Sequence, residues 1–507
     1  MAAGLKLKLK AGGEALYRQI EQAVREAIAS GQLKPGERLP SAVDLARVQR
    51  INKLTVVKAF QRLEKAGVVR SAVGRGTFVA TPAEGEGAAD SANDGAQPSP
   101  ELARSVRRLR EGLARNLREL LNVARRPGTI NLSGGVPSPD TVPDDLMHKL
   151  VAEAMRRNPR RLFEYGPPSG LDELREALAA TLAKRGLAVT TDEIVVTNGS
   201  QQAIALAAAW AHDEGRAAIS ETPSYPSGVQ SAFMLFGHTP LSVPWENDAP
   251  NLKALDALTA GRHSLFYVCP DFHNPTGHTM PAEARRALAE LAHRHDLLVI
   301  DDEIFRDLRF EGAEPPALYS LLPPGRRIMV GSISKSFMPG LRVGFIVADR
   351  TTCAELVAYK RYMDLACPSL VQAVGAALLR GPYLQHLERL RPYYRERRDA
   401  ALEALQRFMP RGVKWTRPQG GFQMWVTMPQ GTSSIQLLLK AIEHGVAIVP
   451  GPSHDLDGRF LNSFRLGYGA EPPERIRTGI ERLATIIQTL SAGASANGAG
   501  AGPGILV

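Results

Sequence analysis

Leu16, Ile20, Val24 and Ile28 recur every four residues, and this single apolar stripe predicts an amphipathic helix near the start of the chain. Gly31 stops it, and Pro35-Gly36 makes a turn. Pro40-Ser41 opens a short second helix. Asn52 caps a third, which carries Val56, Val57, Phe60 and Leu63 to a stop at Gly67. Two β-prone runs then flank Gly74-Arg75-Gly76, predicting a hairpin with a basic tip. Residues 81–100 hold no large apolar side chain and read as a flexible linker. The Arg- and Leu-rich stretch up to 127 predicts a helix with a solvated face. From 128 to 490, apolar strand-like runs alternate with helical stretches, the pattern of an α/β domain. Residues 491–507 are low in complexity and are expected to be disordered. The expected divisions are therefore 1–80, 81–127, 128–490 and 491–507.

Three helices followed by a hairpin is the order of a winged helix-turn-helix. Its third helix would enter the major groove N-terminus first, bringing Lys53, Thr55 and Lys58 near DNA, with Arg75 and Gly76 at the wing tip. The alternative is a small helical domain with a solvated basic face. The formal net charge of +10 permits contact with a polyanion. Three scattered cysteines argue against a disulfide framework and for a reducing compartment. No signal-like segment and no apolar run of membrane-spanning length is found, so a cytoplasmic protein without membrane contact is expected. His273 and His278, and His293 and His295, have no supporting ligands in the sequence, so no metal is expected.

The large domain concentrates polar residues at the ends of its apolar runs. After Ile328–Val330 come Ser332, Ser334 and Lys335, with Arg342 seven residues beyond the lysine. After Ile194–Thr197, Asn198-Gly199 leads into a helix starting at Ser200-Gln201, whose free amides suit an anion. Asp301-Asp302 end another run, Asn274 lies in His-Asn-Pro-Thr-Gly, and Tyr225 lies in Pro-Ser-Tyr. A lysine to condense with an aldehyde, an anion cup, an acid for a pyridine nitrogen, an amide for a ring oxygen and an aromatic to stack are the requirements of pyridoxal 5′-phosphate (PLP). Each piece alone also has an ordinary structural reading.

LKPGERLPSAVDLA, INKLTVVKAFQRLEKAGVV and GRGTFVA resemble the GntR-type winged helix-turn-helix. That family usually has an Arg two residues after the Ser of its Leu-Pro-Ser motif. Here Ser41 is followed by Ala42 and Val43, so the expected contact shifts toward Arg50, Lys53 and Arg75. The ordered set Gly-Ser-Gln-Gln, Pro-Ser-Tyr, Asn-Pro-Thr-Gly, Asp-Asp and Ser-x-Ser-Lys resembles the fold-type I PLP aminotransferases. The resemblance implies a mixed, mostly parallel sheet with flanking helices and a smaller C-terminal α/β subdomain. It makes Lys335 the cofactor lysine and gives the phosphate to Ser200, Gln201, Ser332, Ser334 and Arg342. It pairs Asp302 with the ring nitrogen and Asn274 with the ring oxygen, and stacks Tyr225. Arg465, in Asn-Ser-Phe-Arg-Leu, would grip an amino-acid carboxylate. Tyr165 would reach the phosphate of a partner subunit. The family usually has a Tyr two or three residues after the Asp; this chain has Ile304 and Phe305.

The combination is identified as the architecture of the MocR family of bacterial transcription regulators. It implies a head-to-tail homodimer, an operator in double-stranded DNA, and a small amine or amino-acid effector. The first expectation is a PLP-dependent regulator. The alternative is a working aminotransferase carrying an accessory DNA-binding module, with turnover an open question.

Overall fold

The computed structural model describes residues 16–30, short stretches and single residues between 32 and 79, and then 126–157, 159–246, 248–455 and 457–497. The chain divides into two compact units, Met1–Gln97 and Pro98–Val507.

In the first unit the predicted stripe forms α1, Leu16–Ala29, and buries Ile20 and Val24 completely. Leu45, Val56, Ala59, Phe60 and Leu63 pack into the same core. Strands β1 (Val69–Ala72) and β2 (Gly76–Val79) pair antiparallel as the expected hairpin. Gly36 and Leu39 donate to the carbonyls of Val79 and Thr77, tying the turn after α1 to the second strand. Of the residues expected at DNA, Thr55 is helical and partly buried, and Gly76 begins β2 opposite Ala72. Ser41, Arg50, Lys53, Lys58 and Arg75 lie outside the described residues, as does the Arg-rich stretch before 126.

Among the described residues of the second unit, β3 (Ile130–Asn131) comes first and one large sheet follows. Its strands are β4 (Ile194–Thr197), β5 (Ala217–Thr222), β6 (Leu241–Glu246), β7 (Ala249–Pro250), β8 (Ser264–Val268), β9 (Leu297–Asp302), β10 (Arg327–Ser332) and β11 (Gly344–Ala348). The order is β4-β11-β10-β9-β8-β5-β6-β7. β10, β9, β8, β5 and β6 run parallel, while β11 is antiparallel to both its neighbours. Every residue of β4, β8, β9 and β11 is buried, which is why these strands read as unbroken apolar runs. Helices Ser200–Asp213 and Ala282–Arg294 pack on this sheet.

A second, antiparallel sheet is made by β12 (Lys414–Trp415), β13 (Gln423–Thr427), β15 (Val449–Pro450) and β16 (Ser463–Gly467); β14 (Val446–Ala447) pairs with β3. The last helix runs Pro473–Asn497. It therefore continues seven residues into the stretch expected to be disordered from 491. Ile476, Ile480, Leu483 and Ile487 anchor its buried face, and Ser-Ala-Gly-Ala-Ser-Ala-Asn extends it with three alanines, the strongest helix formers. Among the described residues no helix is long and apolar enough to cross a membrane.

Candidate functional site

The C-terminal ends of β4, β9 and β10 and the start of antiparallel β11 lie at one edge of the large sheet, where ligands of open α/β sheets bind. The polar residues picked out at the ends of the apolar runs are brought together there.

The anion cup is shaped by close backbone approach. Gly199, with φ +85°, caps the helix that begins at Ser200; its carbonyl takes the Gln202 and Ala203 amides, while those of Ser200 and Gln201 have no intrahelical acceptor. A Cβ on Gly199 would lie 2.4 Å from Arg342 Nη2, and one on Gly344 would lie 2.6 Å from the Ser200 nitrogen. Arg342 is exposed, holds φ +54°, and donates to the Asn198 carbonyl at 3.0 Å. The Ser332 hydroxyl is taken up in its own turn, within 2.8 Å of the Val343 carbonyl and accepting from the Ser334 amide. Gln201 donates its side-chain amide to Gly228 O at 2.8 Å, which leaves its backbone N–H for an anion. Behind the cup stands a clamp that sequence reasoning missed. Asp364 accepts from Asn198 Nδ2 (2.7 Å), Gln202 Nε2 (2.8 Å) and the buried Lys360 ammonium (2.8 Å).

Lys335 follows β10 and is partly buried, donating to Gly135 O at 2.7 Å. Burial, together with the Arg465 guanidinium, lowers its pKa to about 8, against the pull of Asp302. Asp302 ends β9 with no exposed surface, and burial raises its carboxyl to about 6. Two donors oppose that rise: Tyr267 Oη at 2.5 Å and the Ile304 amide at 3.2 Å. Tyr267 was unmarked in the sequence because it sits inside an apolar strand. Phe305 is buried, edge-on to Phe422, and 5.7 Å from Lys335 Nζ to its ring centre.

The opposite wall comes from β16. Arg465 is 9% exposed and donates to Asn274 Oδ1 (2.9 Å) and Ser133 O (2.7 Å), while its Nε has no partner. Its bond to Asn274 Oδ1 leaves the Asn274 amide nitrogen free to donate elsewhere. Burial brings Arg465 down to about 10. Among the described residues neither Arg342 nor Arg465 pairs with a carboxylate. Tyr225 is partly buried over Gly228, where any Cβ would meet its ring. Tyr165 is 90% exposed, and among the described residues it has no hydrogen bond to these groups.

These groups fit PLP. An amine held near neutrality faces a buried acid at the sheet edge, and beside them lie unpaired cationic and amide donors for a phosphate. The donors of the anion cup alone would suit many anions; the acid facing the lysine narrows the choice.

The model for "Aminotransferase class I and II" matches residues 127–483, and the model for "Bacterial regulatory proteins, gntR family" matches residues 16–79. A 2-aminoadipate transaminase of Thermus thermophilus is 36% identical over 384 residues, which is 75% of this chain and 95% of that protein. The crystal structure of LysN, an α-aminoadipate aminotransferase of Thermus thermophilus, superposes with a TM-score of 0.69 at 35% identity, covering 74% of this chain and 95% of that one. It holds N-(5′-phosphopyridoxyl)-L-leucine. Along nearly the full length, 92% of this chain and 93% of the relative, the chain is 28% identical to the probable rhizopine catabolism regulatory protein MocR of Rhizobium meliloti. The chain belongs to the aminotransferase class I and II family, whose cofactor is PLP. With its GntR domain it has the two-part architecture of the MocR-type regulators.

Proposed function

We propose that the protein is a DNA-binding transcription regulator of the cytoplasm whose large domain holds PLP on Lys335 and takes an amino acid as effector. The observation that carries the effector reading is Arg465, a buried guanidinium with no carboxylate and an unpartnered Nε, close enough to Lys335 to lower its pKa. Such a charge is costly until an anion meets it. When bound, PLP supplies an aldehyde that exchanges amines and a ring that draws electrons. Lys335 offers the amine, lowered toward the unprotonated form that attacks carbonyls. Asp302, anchored by Tyr267, faces the ring nitrogen, and Asn274 offers its amide to the ring oxygen. Arg342, the Ser334 hydroxyl and the amides of Ser200 and Gln201 hold the phosphate, and Arg465 orients the effector carboxylate. Tyr165, exposed here, suits a role across the interface of a head-to-tail homodimer.

DNA contact belongs to the winged helix. Its affinity should fall steeply with salt, because Lys and Arg displace phosphate counterions. The regulator reading requires the effector to bind two arrangements of the dimer unequally. The test is operator binding by the cofactor-loaded protein with and without amino acids. An affinity that shifts when an amino acid changes the cofactor's visible absorption supports the reading; operator binding indifferent to every such ligand sinks it.

A second reading, a working aminotransferase, is favoured by the intact Lys335, Asp302 and Arg465. Phe305 weighs against it, since it brings no hydroxyl to the site. Rapid multiple turnover of amino donors with keto acids would favour the enzyme.

A further inference from the structure

Close to Arg465 lies a polar side chain that the fold does not use. Gln423, on β13, has no exposed surface. Its Nε2 donates to the Phe272 carbonyl at 3.2 Å, but its Oε1 has no hydrogen-bond partner. Turning the amide over would set its oxygen against the Phe272 carbonyl, so the acceptor is held away from that loop. A Cβ on Gly135 would stand 3.0 Å from Gln423 Oε1 and 4.0 Å from Arg465 Nη1. The Gly135 carbonyl itself accepts from Lys335 Nζ at 2.7 Å. Acceptor and guanidinium therefore flank the bare Cα of Gly135, whose carbonyl holds the amine. A buried acceptor left without a donor is costly, and a ligand that supplies the donor recovers that loss.

We propose that Gln423 selects the effector: an α-amino acid whose carboxylate lies on Arg465 and whose side chain carries an N–H or O–H donor for the Gln423 carbonyl. The inference rests on the amino-acid reading above and adds the class of ligand. An aliphatic side chain leaves the acceptor unpaired. A side-chain carboxylate sets oxygen against oxygen. Sites built around a hydrogen bond reject ligands that lack the matching group.

The experiment titrates the full-length, PLP-loaded protein with L-glutamine, L-serine, L-leucine and L-glutamate, following the cofactor's visible absorption. At least one of the two donor-bearing ligands should bind about tenfold or more tighter than both L-leucine and L-glutamate. Gln423→Leu and Gln423→Met should each abolish that preference while still binding amino acids. Equal binding of all four ligands by the wild type overturns the proposal, whether or not the variants fold. So does an unchanged ranking in both variants. If none of the four alters the absorption of loaded protein, the amino-acid reading of the large domain falls as well, which separates the two failures.

Discussion

Arg285 and Arg465 are both buried guanidiniums, yet the protein treats them in opposite ways. Arg285, on the helix behind the sheet, has no exposed surface and no idle nitrogen. Its Nε donates to Met280 O (2.9 Å), its Nη2 to Pro270 O (3.1 Å), and its Nη1 to Asp271 Oδ2 (3.1 Å). Arg306 and Arg309 bond the same Asp271, and against its burial these three cations hold that carboxyl below its ordinary range. Arg465 has two neutral acceptors, no carboxylate and an unpartnered Nε. One arginine completes the fold by locking the loop that carries Asn274. The other is left incomplete at the edge where a ligand belongs. Burial by itself does not separate structural from functional charge; the presence of a counter-charge does.

The strongest break of this contrast is Arg285→Ala. It takes one of three cations from buried Asp271, frees the Met280 carbonyl and empties the guanidinium's place in the core, and should cost about 3–5 kcal/mol in urea unfolding. Arg465→Ala should leave stability level or raise it, because it removes an uncompensated charge. Amino-acid affinity should instead fall on the order of 100-fold, read by titration of the cofactor's absorption. If Arg465→Ala destabilised as much as Arg285→Ala, the distinction would collapse.

A third test uses pH. In the folded, cofactor-free protein the Lys335 pKa is lowered from 10.5 to about 8. Between these values Lys335 binds more protons in the unfolded chain than in the folded one, so its own contribution to stability rises with pH across about 8 to 10.5 and is lower below it. The gain should be about 2 kcal/mol, discounted for the solvent that still reaches the side chain. Lys335→Met should remove that slope; an unchanged slope in the variant would mean the lysine is not desolvated.

How much of this was legible beforehand follows from where the chemistry sits. Ile194–Thr197, Leu297–Ile300 and Ile328–Val330 are buried on both faces, so they read as apolar runs, and polar residues at their ends stood out. Lys335, Asp302, Asn274 and Arg342 were found that way, and the resemblance then supplied their partners. Nothing local marked Asp364, which meets Asn198 from 166 positions away. Tyr267 and Gln423 lie within strands, where alternation makes a side chain look like ordinary packing. Gly135 contributes a carbonyl and an absence of side chain, neither of which a sequence displays. The antiparallel turn of β11, which brings Arg342 to the sheet edge, depends on strand order. The helix past 490 lies in a low-complexity stretch, where alanine's helical preference is easily masked by the flanking Gly and Ser.

The smallest effect probes the cup rather than the cations. Gln202 holds the Asn198 loop from two sides: its Oε1 accepts the Asn198 amide at 2.7 Å, and its Nε2 donates to Asp364 at 2.8 Å. Gln202→Leu keeps the Lys360–Asp364 pair and the Asn198 side-chain bond, so no buried charge is stranded. About 1 kcal/mol is the usual net worth of such a contact, which converts to roughly fivefold weaker PLP binding by the cofactor-free protein. Amino-acid ranking should not move, because Gln202 bonds neither Arg465 nor Gln423. A change in ranking without a change in PLP affinity would mean that the cup and the carboxylate wall act as one element. The contrast between the arginine that completes the fold and the one left for a ligand would then have to extend to the whole sheet edge.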